Sequence, residues 1–138
     1  GPKRPWTSPE FSKGHHRLLK KGRACRENLS LFRCLTKMRN LKVDTLMVID
    51  SNHKYLGSIL IDELSPSSDL KKNASSYISK NSISVKDTDS LLDVLNVVNN
   101  AKTTTIPVIN SKGILQGLIT RGSLLTSLSS QFLEGSDE

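Results

Sequence analysis

The 138-residue chain predicts an α/β fold made of two copies of one β-α-β-β-α unit, packed sheet to sheet. Three observations carry this. Short apolar runs of strand length, Thr45–Ile49, Tyr55–Ile61, Thr105–Ile109 and Ile114–Ile119, alternate with stretches of helical periodicity. Adding 60 to a position between Ala24 and Leu64 gives a counterpart in the second half without a gap: Ser30 with Ser90, Leu35 with Leu95, Thr45 with Thr105, Val48 with Val108, Gly57 with Gly117, Leu64 with Leu124. A chance match of helix to helix would not hold one register through helix, strand, turn and strand. Finally, a unit of about 50–60 residues is marginal alone, so two copies are expected to share a core.

Taken in order, residues 1–11 read as an expression-tag remnant and 12–22 as a linker from a preceding domain. Residues 23–64 form the first repeat, 65–82 a connector, 83–133 the second repeat and 134–138 an acidic tail. In the first repeat, Leu31, Leu35 and Met38 recur at helical spacing, with Phe32 and Cys34 widening the apolar stripe, and Glu27 or Asn28 caps the start. Thr45–Ile49 is a buried-type strand, residues 50–53 a turn and Tyr55–Ile61 a second strand. A short helix opens at Asp62 and stops before Pro66. The connector is polar, with an apolar thread at Leu70, Ala74, Tyr77 and Ile78. In the second repeat a helix begins at Ser90-Leu91, with Leu91, Leu92, Val94, Leu95 and Val98 on its apolar side. Strands at Thr105–Ile109 and Ile114–Ile119 flank a Ser-Lys-Gly turn, and a last helix is expected over Thr120–Phe132. Gly57 and Gly117 fall inside strands, where a missing side chain marks close packing between the units or the approach of a ligand.

The net charge of +7 belongs to one segment. Residues 1–26 hold eight basic side chains against Glu10, while the remaining residues carry twelve of each sign. The folded body is neutral and shows no basic face of the kind a nucleic-acid binder spreads over its surface. No apolar run approaches the ~20 residues of a membrane helix, and no signal peptide is expected, because the polar N-terminal stretch lacks an apolar segment before a small-residue cleavage site. Cys25 and Cys34 fit no zinc or redox spacing, and a reduced cytoplasmic setting is expected with Cys34 a buried free thiol. His15, His16 and His53 form no metal-ligand pattern. No Ser/His/Asp arrangement, paired carboxylates or phosphate-binding G-x-x-x-x-G-K-[ST] loop is present, so the fragment is expected to be neither an enzyme nor itself an ATPase, with no catalytic residue and no metal.

One corner carries chemistry. Strand Ile114–Ile119 ends in Thr120, Arg121, Gly122 and Ser123 just where a helix begins. Helix N-termini present free N–H groups and a partial positive charge, and Arg121 adds a guanidinium suited to a phosphate. The expected ligand is a small phosphorylated molecule.

The chain resembles a tandem pair of CBS domains, a Bateman module, over about residues 22–133. The resemblance rests on TLMVID, a turn and GSILIDEL in the first copy, and on TIPVIN, a turn and GLITRGSL in the second. The second copy matches the family's G-h-h-T/S-x-x-D/N pattern through Gly117 and Thr120, with Ser123 at the last position; the first has Leu60 and Glu63 instead. More narrowly, it is similar to the C-terminal module of ATP-binding subunits of bacterial ABC transporters for quaternary-amine osmolytes such as glycine betaine, carnitine or choline. The segment FSKGHHRLLKK resembles the end of the preceding ATPase domain.

The resemblance implies a homodimeric disc on the cytoplasmic face of a transporter, partnered through that ATPase with the membrane subunits. It implies no cofactor but a regulatory ligand, cyclic di-AMP, bound at the cleft between two modules, which shuts uptake down. By family position Val43, Thr45, Thr105 and Leu118 line the cleft, Thr120 and Gly122 lie next to the phosphate with Arg121, and Arg23 falls on a further cleft position. Thr105 stands where relatives often carry an aromatic residue. The pattern's Asp holds ribose hydroxyls in AMP- and ATP-binding pairs; Ser123 and Glu63 in its place favour the symmetric dinucleotide over an adenosine nucleotide. The alternatives are an AMP or ATP sensor, and a sensor of ionic strength or membrane charge using the basic leader.

Overall fold

Two serines sixty positions apart start the two helices. Ser30 and Ser90 both have extended backbone, and their hydroxyls accept hydrogen bonds from the N–H groups of Arg33 and Asp93. Each satisfies one of the orphan donors of a first helical turn. Ser30 thus takes the capping place expected of Glu27 or Asn28, because it lies directly before the first buried residue, Leu31. The computed structural model describes residues 22–122 and Leu124. Within them the order is β1 (Ala24–Arg26), α1 (Leu31–Leu41), β2 (Thr45–Ile49), β3 (Tyr55–Leu60), 3-10 turns at Ile61–Glu63 and Ala74–Tyr77, β4 (Val85–Lys86), α2 (Leu91–Asn100), β5 (Thr105–Ile109) and β6 (Leu115–Thr120). The helix expected at Asp62 is only a 3-10 turn, cut short before Pro66. Of the helix expected over Thr120–Phe132, the residues Arg121, Gly122 and Leu124 are helical, and the rest lies outside the described residues, as does the leader.

The strands form two three-stranded sheets, β1-β2-β3 and β4-β5-β6, each with one parallel and one antiparallel pairing. The offset of 60 holds in the pairing register. Cys25 faces Val48 as Val85 faces Val108, and Thr45 faces Leu60 as Thr105 faces Thr120. Both hairpins slip by one residue at the same place. Val48 pairs with Gly57 and Ile49 with Tyr55, while Val108 pairs with Gly117 and Ile109 with Leu115. One residue in each, Leu56 or Gln116, is the extra residue of a bulge.

Strand β2 is buried on both faces, which explains its unbroken apolar run. Leu46 and Val48 point into a core with Leu31, Cys34, Met38, Ile59 and Ala74. Met47 and Ile49 point the other way, into a cluster with Ala24, Leu115, Tyr55 and Leu118 that joins the two sheets. The second repeat has its own core of Val85, Val94, Val98, Ile106, Val108, Ile119 and Leu124. A reciprocal pair of hydrogen bonds fixes the two halves: Tyr55 N–H to Gly113 C=O at 2.9 Å, and Leu115 N–H to His53 C=O at 3.1 Å. Tyr55 and Leu115 are repeat partners, as are His53 and Gly113, so the two bonds are related by a local pseudo-two-fold.

The apolar stripes of the helices are narrower than their sequences suggest. Phe32 is 60% exposed and Leu92 68%, so both stand outside the cores they were expected to widen. They are again repeat partners, one position after the first buried or half-buried residue of each helix.

The connector is an integral layer of the first repeat. Its Lys72 and Leu70 carbonyls accept from the N–H groups of Leu31 and Phe32 at 2.8 and 3.0 Å, completing the cap of α1. It then crosses β3, where Ser58 N–H donates to Ser82 Oγ at 2.8 Å and Ser79 N–H to Ser58 C=O at 2.8 Å. The half-buried Tyr55 hydroxyl donates to Ile83 C=O and meets Ser58 Oγ at 2.6 Å, and desolvation raises its pKa. Gly57 makes the crossing possible. Its φ is +139°, and a Cβ there would collide with Ile78 Cγ2 and lie 2.8 Å from Ser82 Oγ. Of the two readings open for this glycine, the structure selects close packing, and the neighbour is the connector.

Candidate ligand-binding site

Each repeat builds a corner where the end of its third strand meets the segment leading into its second. In the first, Ile61 N–H donates to Asp44 C=O at 3.0 Å; in the second, Arg121 N–H donates to Thr104 C=O at 3.3 Å. Equivalent backbone thus carries different side chains.

The first corner opens onto a pocket of about 240 Å³ lined by Asp44, Leu60, Ile61, Asp62 and Glu63, closed from the second repeat by Lys102 and Thr103. Three carboxylates face one ammonium, so the wall repels an anion and accepts hydrogen-bond donors. The carboxylate of Glu63 is held by the connector: Asn81 Nδ2 donates to Oε2 at 2.8 Å. Hydrogen bonds from Ser79 and Asn81, with the charge of Lys102, keep the Glu63 pKa below its ordinary value. Thr45 is buried and its hydroxyl donates to Asp44 Oδ1 at 3.1 Å. Val43 packs on the first core and lines a shallow groove on the outside of α1.

The second corner holds Thr105, Thr120, Arg121 and Gly122. Thr105 and Thr120 are cross-strand partners; Thr105 is buried, Thr120 half-buried, and Arg121 and Gly122 are exposed. Thr103 Oγ1 donates to Thr105 C=O at 3.0 Å, which fixes the start of β5. Arg121 Nη2 donates to Val98 C=O and Ala101 C=O, each at 3.0 Å. These carbonyls close α2, whose negative dipole end attracts a cation. Nη2 supplies two of the five guanidinium N–H donors; those on Nη1 and Nε make no hydrogen bond among the described residues.

Of the eight residues expected to bind ligand, the structure gathers Thr105, Thr120, Arg121 and Gly122 at the second corner; Thr45 touches the first only through Asp44, and Val43 lies in the groove outside α1 rather than in the corner pocket. Leu118 is half-buried against the cluster between the sheets. Arg23 lies beside β1, its carbonyl accepting from Met47 N–H at 3.3 Å. Sequence reasoning passed over Asp44, Asp62 and Lys102. The match of Lys42 with Lys102 in the repeat was a signal for the last. No group of three His, Cys, Asp or Glu able to hold a metal occurs among the described residues.

Residues 74–130 match the family described as CBS domain. A CBS domain pair/ACT domain protein from Thermotoga maritima superposes with a TM-score of 0.69 at 20% identity, over 78% of this chain and 88% of that one. The chain folds as a CBS-domain pair. Other CBS-pair folds similar to it include Staphylococcus aureus OpuCA, with a TM-score of 0.63 and 23% identity over 78% of this chain and 91% of that one. CbpB, in a structure in complex with c-di-AMP, gives a TM-score of 0.67 at 17% identity over 83% of this chain and 81% of that one. No curated protein sequence matches the chain. Each of the two repeats contributes one corner, and no described helix is long and apolar enough to cross a membrane.

Proposed function

We propose that this CBS pair is a regulatory module that senses cyclic di-AMP at a cleft formed by two copies, and that binding inhibits osmolyte uptake by an attached ABC transporter ATPase at the inner face of the membrane. The fragment itself is not an enzyme in this reading. The observation that carries it is the asymmetry of the two corners. The second keeps Thr120, Arg121 and Gly122 at a strand-to-helix junction, whereas the first has Leu60, Ile61 and Asp62. Each protomer therefore offers one phosphate seat, and a ligand with two phosphates is matched by two protomers related by a two-fold. Two proteins of similar fold support the reading: one is Staphylococcus aureus OpuCA, the other is CbpB in complex with c-di-AMP.

Glu63 stands where an adenosine-nucleotide pair has its ribose-binding Asp and is already engaged by Asn81, which disfavours AMP and ATP. Calorimetric titration of the 138-residue chain with cyclic di-AMP, AMP and ATP tests the reading. Cyclic di-AMP is expected to bind at one ligand per two chains, with AMP and ATP at least tenfold weaker. A charge-assisted hydrogen bond contributes roughly 1.5–3 kcal/mol, so Arg121→Ala is expected to weaken binding tenfold or more. A tighter response to AMP or ATP, or no heat with cyclic di-AMP at tens of micromolar, overturns it.

A further inference from the structure

Cys25 and Cys34 are nine residues apart and sit on different elements, β1 and α1, yet their sulfurs are 3.9 Å apart. Both are buried free thiols in the core of the first repeat. Cys34 Sγ also lies 3.9 Å from the Leu29 carbonyl, so the pair stands at the base of the loop that joins β1 to α1. We propose that Cys25 and Cys34 are a reversible redox pair that closes to an intramolecular disulfide and clamps β1 onto α1. A disulfide needs an S–S length of about 2.05 Å. The sulfurs must therefore approach by roughly 1.9 Å, within reach of rotamer adjustment and a small shift of the short strand.

Strand β1 is the element able to give. It is three residues long, lies at the edge of its sheet and is paired only with β2. Peeling its edge admits a small neutral oxidant to the buried sulfurs. The two sulfurs are within hydrogen-bonding distance, and either thiol can donate to the other. The contact with Cys25, the backbone of Cys34 itself and the charge of Lys37 lower the Cys34 pKa against the opposing effect of burial, while the same contact and burial raise that of Cys25. Cys34 also stands in the first turn of α1, where the positive end of the helix dipole favours a thiolate, and it is taken as the attacking sulfur.

With a peroxide as oxidant, the Cys34 thiolate attacks one peroxide oxygen. The O–O bond breaks, the second oxygen leaves as water after taking a proton, and Cys34 becomes a sulfenic acid. The Cys25 sulfur then attacks the Cys34 sulfur, the S–O bond breaks, and the sulfenic oxygen leaves as a second water with the Cys25 proton. Two thiols have given two electrons to one peroxide, and a dithiol reductant reverses the bond by exchange.

The clamp acts on a part of the molecule that matters to both halves. Ala24, next to Cys25, lies in the cluster that joins the sheets, and the Arg23 carbonyl holds Met47. Covalent attachment of β1 to α1 fixes one wall of that cluster.

The test treats the folded 138-residue chain with hydrogen peroxide, then measures free thiols under denaturing conditions, intact mass, and amide exchange at Ala24–Arg26. The expected result is loss of both thiols with a mass decrease of about 2 Da on a monomeric chain, reversed by dithiothreitol. Exchange in β1 is expected to slow roughly tenfold in the oxidised form. Cys25→Ser, which leaves only the attacking thiol, is expected to stop at a trappable sulfenic acid with no mass decrease. Two thiols still titratable after treatment, a disulfide found only between chains, over-oxidation of one cysteine in the wild type with the other left free, or unchanged exchange in β1 overturns the proposal.

Discussion

Helix α1 ends on its own backbone, whereas α2 ends on a residue twenty positions away. After α1, Lys42 takes the left-handed conformation with φ 56° and ψ 44°, and its N–H reaches Arg39 C=O while Val43 N–H reaches Met38 C=O. Arg39 adds a positive charge in the last turn. After α2 the cap residue, Ala101, is extended, the last turn has no basic side chain, and the guanidinium of Arg121 bridges Val98 and Ala101 instead. The repeat partner of Arg121 is Ile61, which is apolar and partly exposed. The same fold thus satisfies the same helix end in two ways, and only the second places a guanidinium at the corner. That cation has a structural task before any ligand arrives. In the proposed function, binding and stability are coupled through it.

The helix starts differ in the opposite sense. The first turn of α1 is completed by the connector carbonyls of Lys72 and Leu70 as well as by Ser30, so the first repeat is the one tied to the connector.

The largest expected effect breaks that tie. Gly57→Ala places a methyl group into Ile78 and Ser82 on a backbone with φ +139°, and is expected to destabilise the protein by roughly 3 kcal/mol. Urea unfolding measures it; a loss below about 1 kcal/mol means that the connector moves aside freely. Next comes the helix end. Arg121→Ala removes both carbonyl contacts and is expected to cost about 1–1.5 kcal/mol without ligand. A stability equal to wild type, with ligand binding still lost, assigns Arg121 to the ligand alone. The helix starts follow. Ser90→Ala is expected to cost about 1 kcal/mol and Ser30→Ala about half that, because the connector still holds the first turn of α1; equal losses remove the distinction.

The smallest effect is a pH dependence at Glu63. Its folded pKa is depressed below 4.5, so its contribution is present at neutral pH and is lost as pH falls through the folded value. Thermal unfolding between pH 6 and 3 is expected to show a slightly shallower acid slope for Glu63→Gln than for wild type. Parallel slopes mean that the contact with Asn81 contributes nothing.

Much of this is legible in the amino-acid sequence. Thr45–Ile49 and Thr105–Ile109 are strands over the ranges their apolar runs predict, because both faces of each are covered and no polar residue interrupts them. The start of α1 was misplaced by a few residues because Glu27 and Asn28 cap as readily on paper as Ser30. The repeat partner Ser90, directly before Leu91, marks Ser30 as the cap. Phe32 and Leu92 show the reverse failure: helical periodicity places a side chain on a face, but the width of the covering sheet decides how much of that face is buried. At the site, the gathering of Thr105, Thr120, Arg121 and Gly122 follows from strand pairing and a strand-to-helix junction, both local features. The acidic pocket of Asp44, Asp62 and Glu63 under Lys102 does not, because it is made where two repeats meet.

The sequence by itself determined the duplication, the strand–helix order, the register of 60 and the chemical inequality of Thr120-Arg121-Gly122 and Leu60-Ile61-Asp62. Those are written in spacing and residue type, which a chain carries whether folded or not. Only the tertiary structure decided that Arg121 closes α2, that Gly57 lies beneath the connector, and that Cys25 and Cys34 touch. Each of these is a contact between segments brought together by burying the two faces of β2 and β5, and burial is a property of the whole core rather than of any local window.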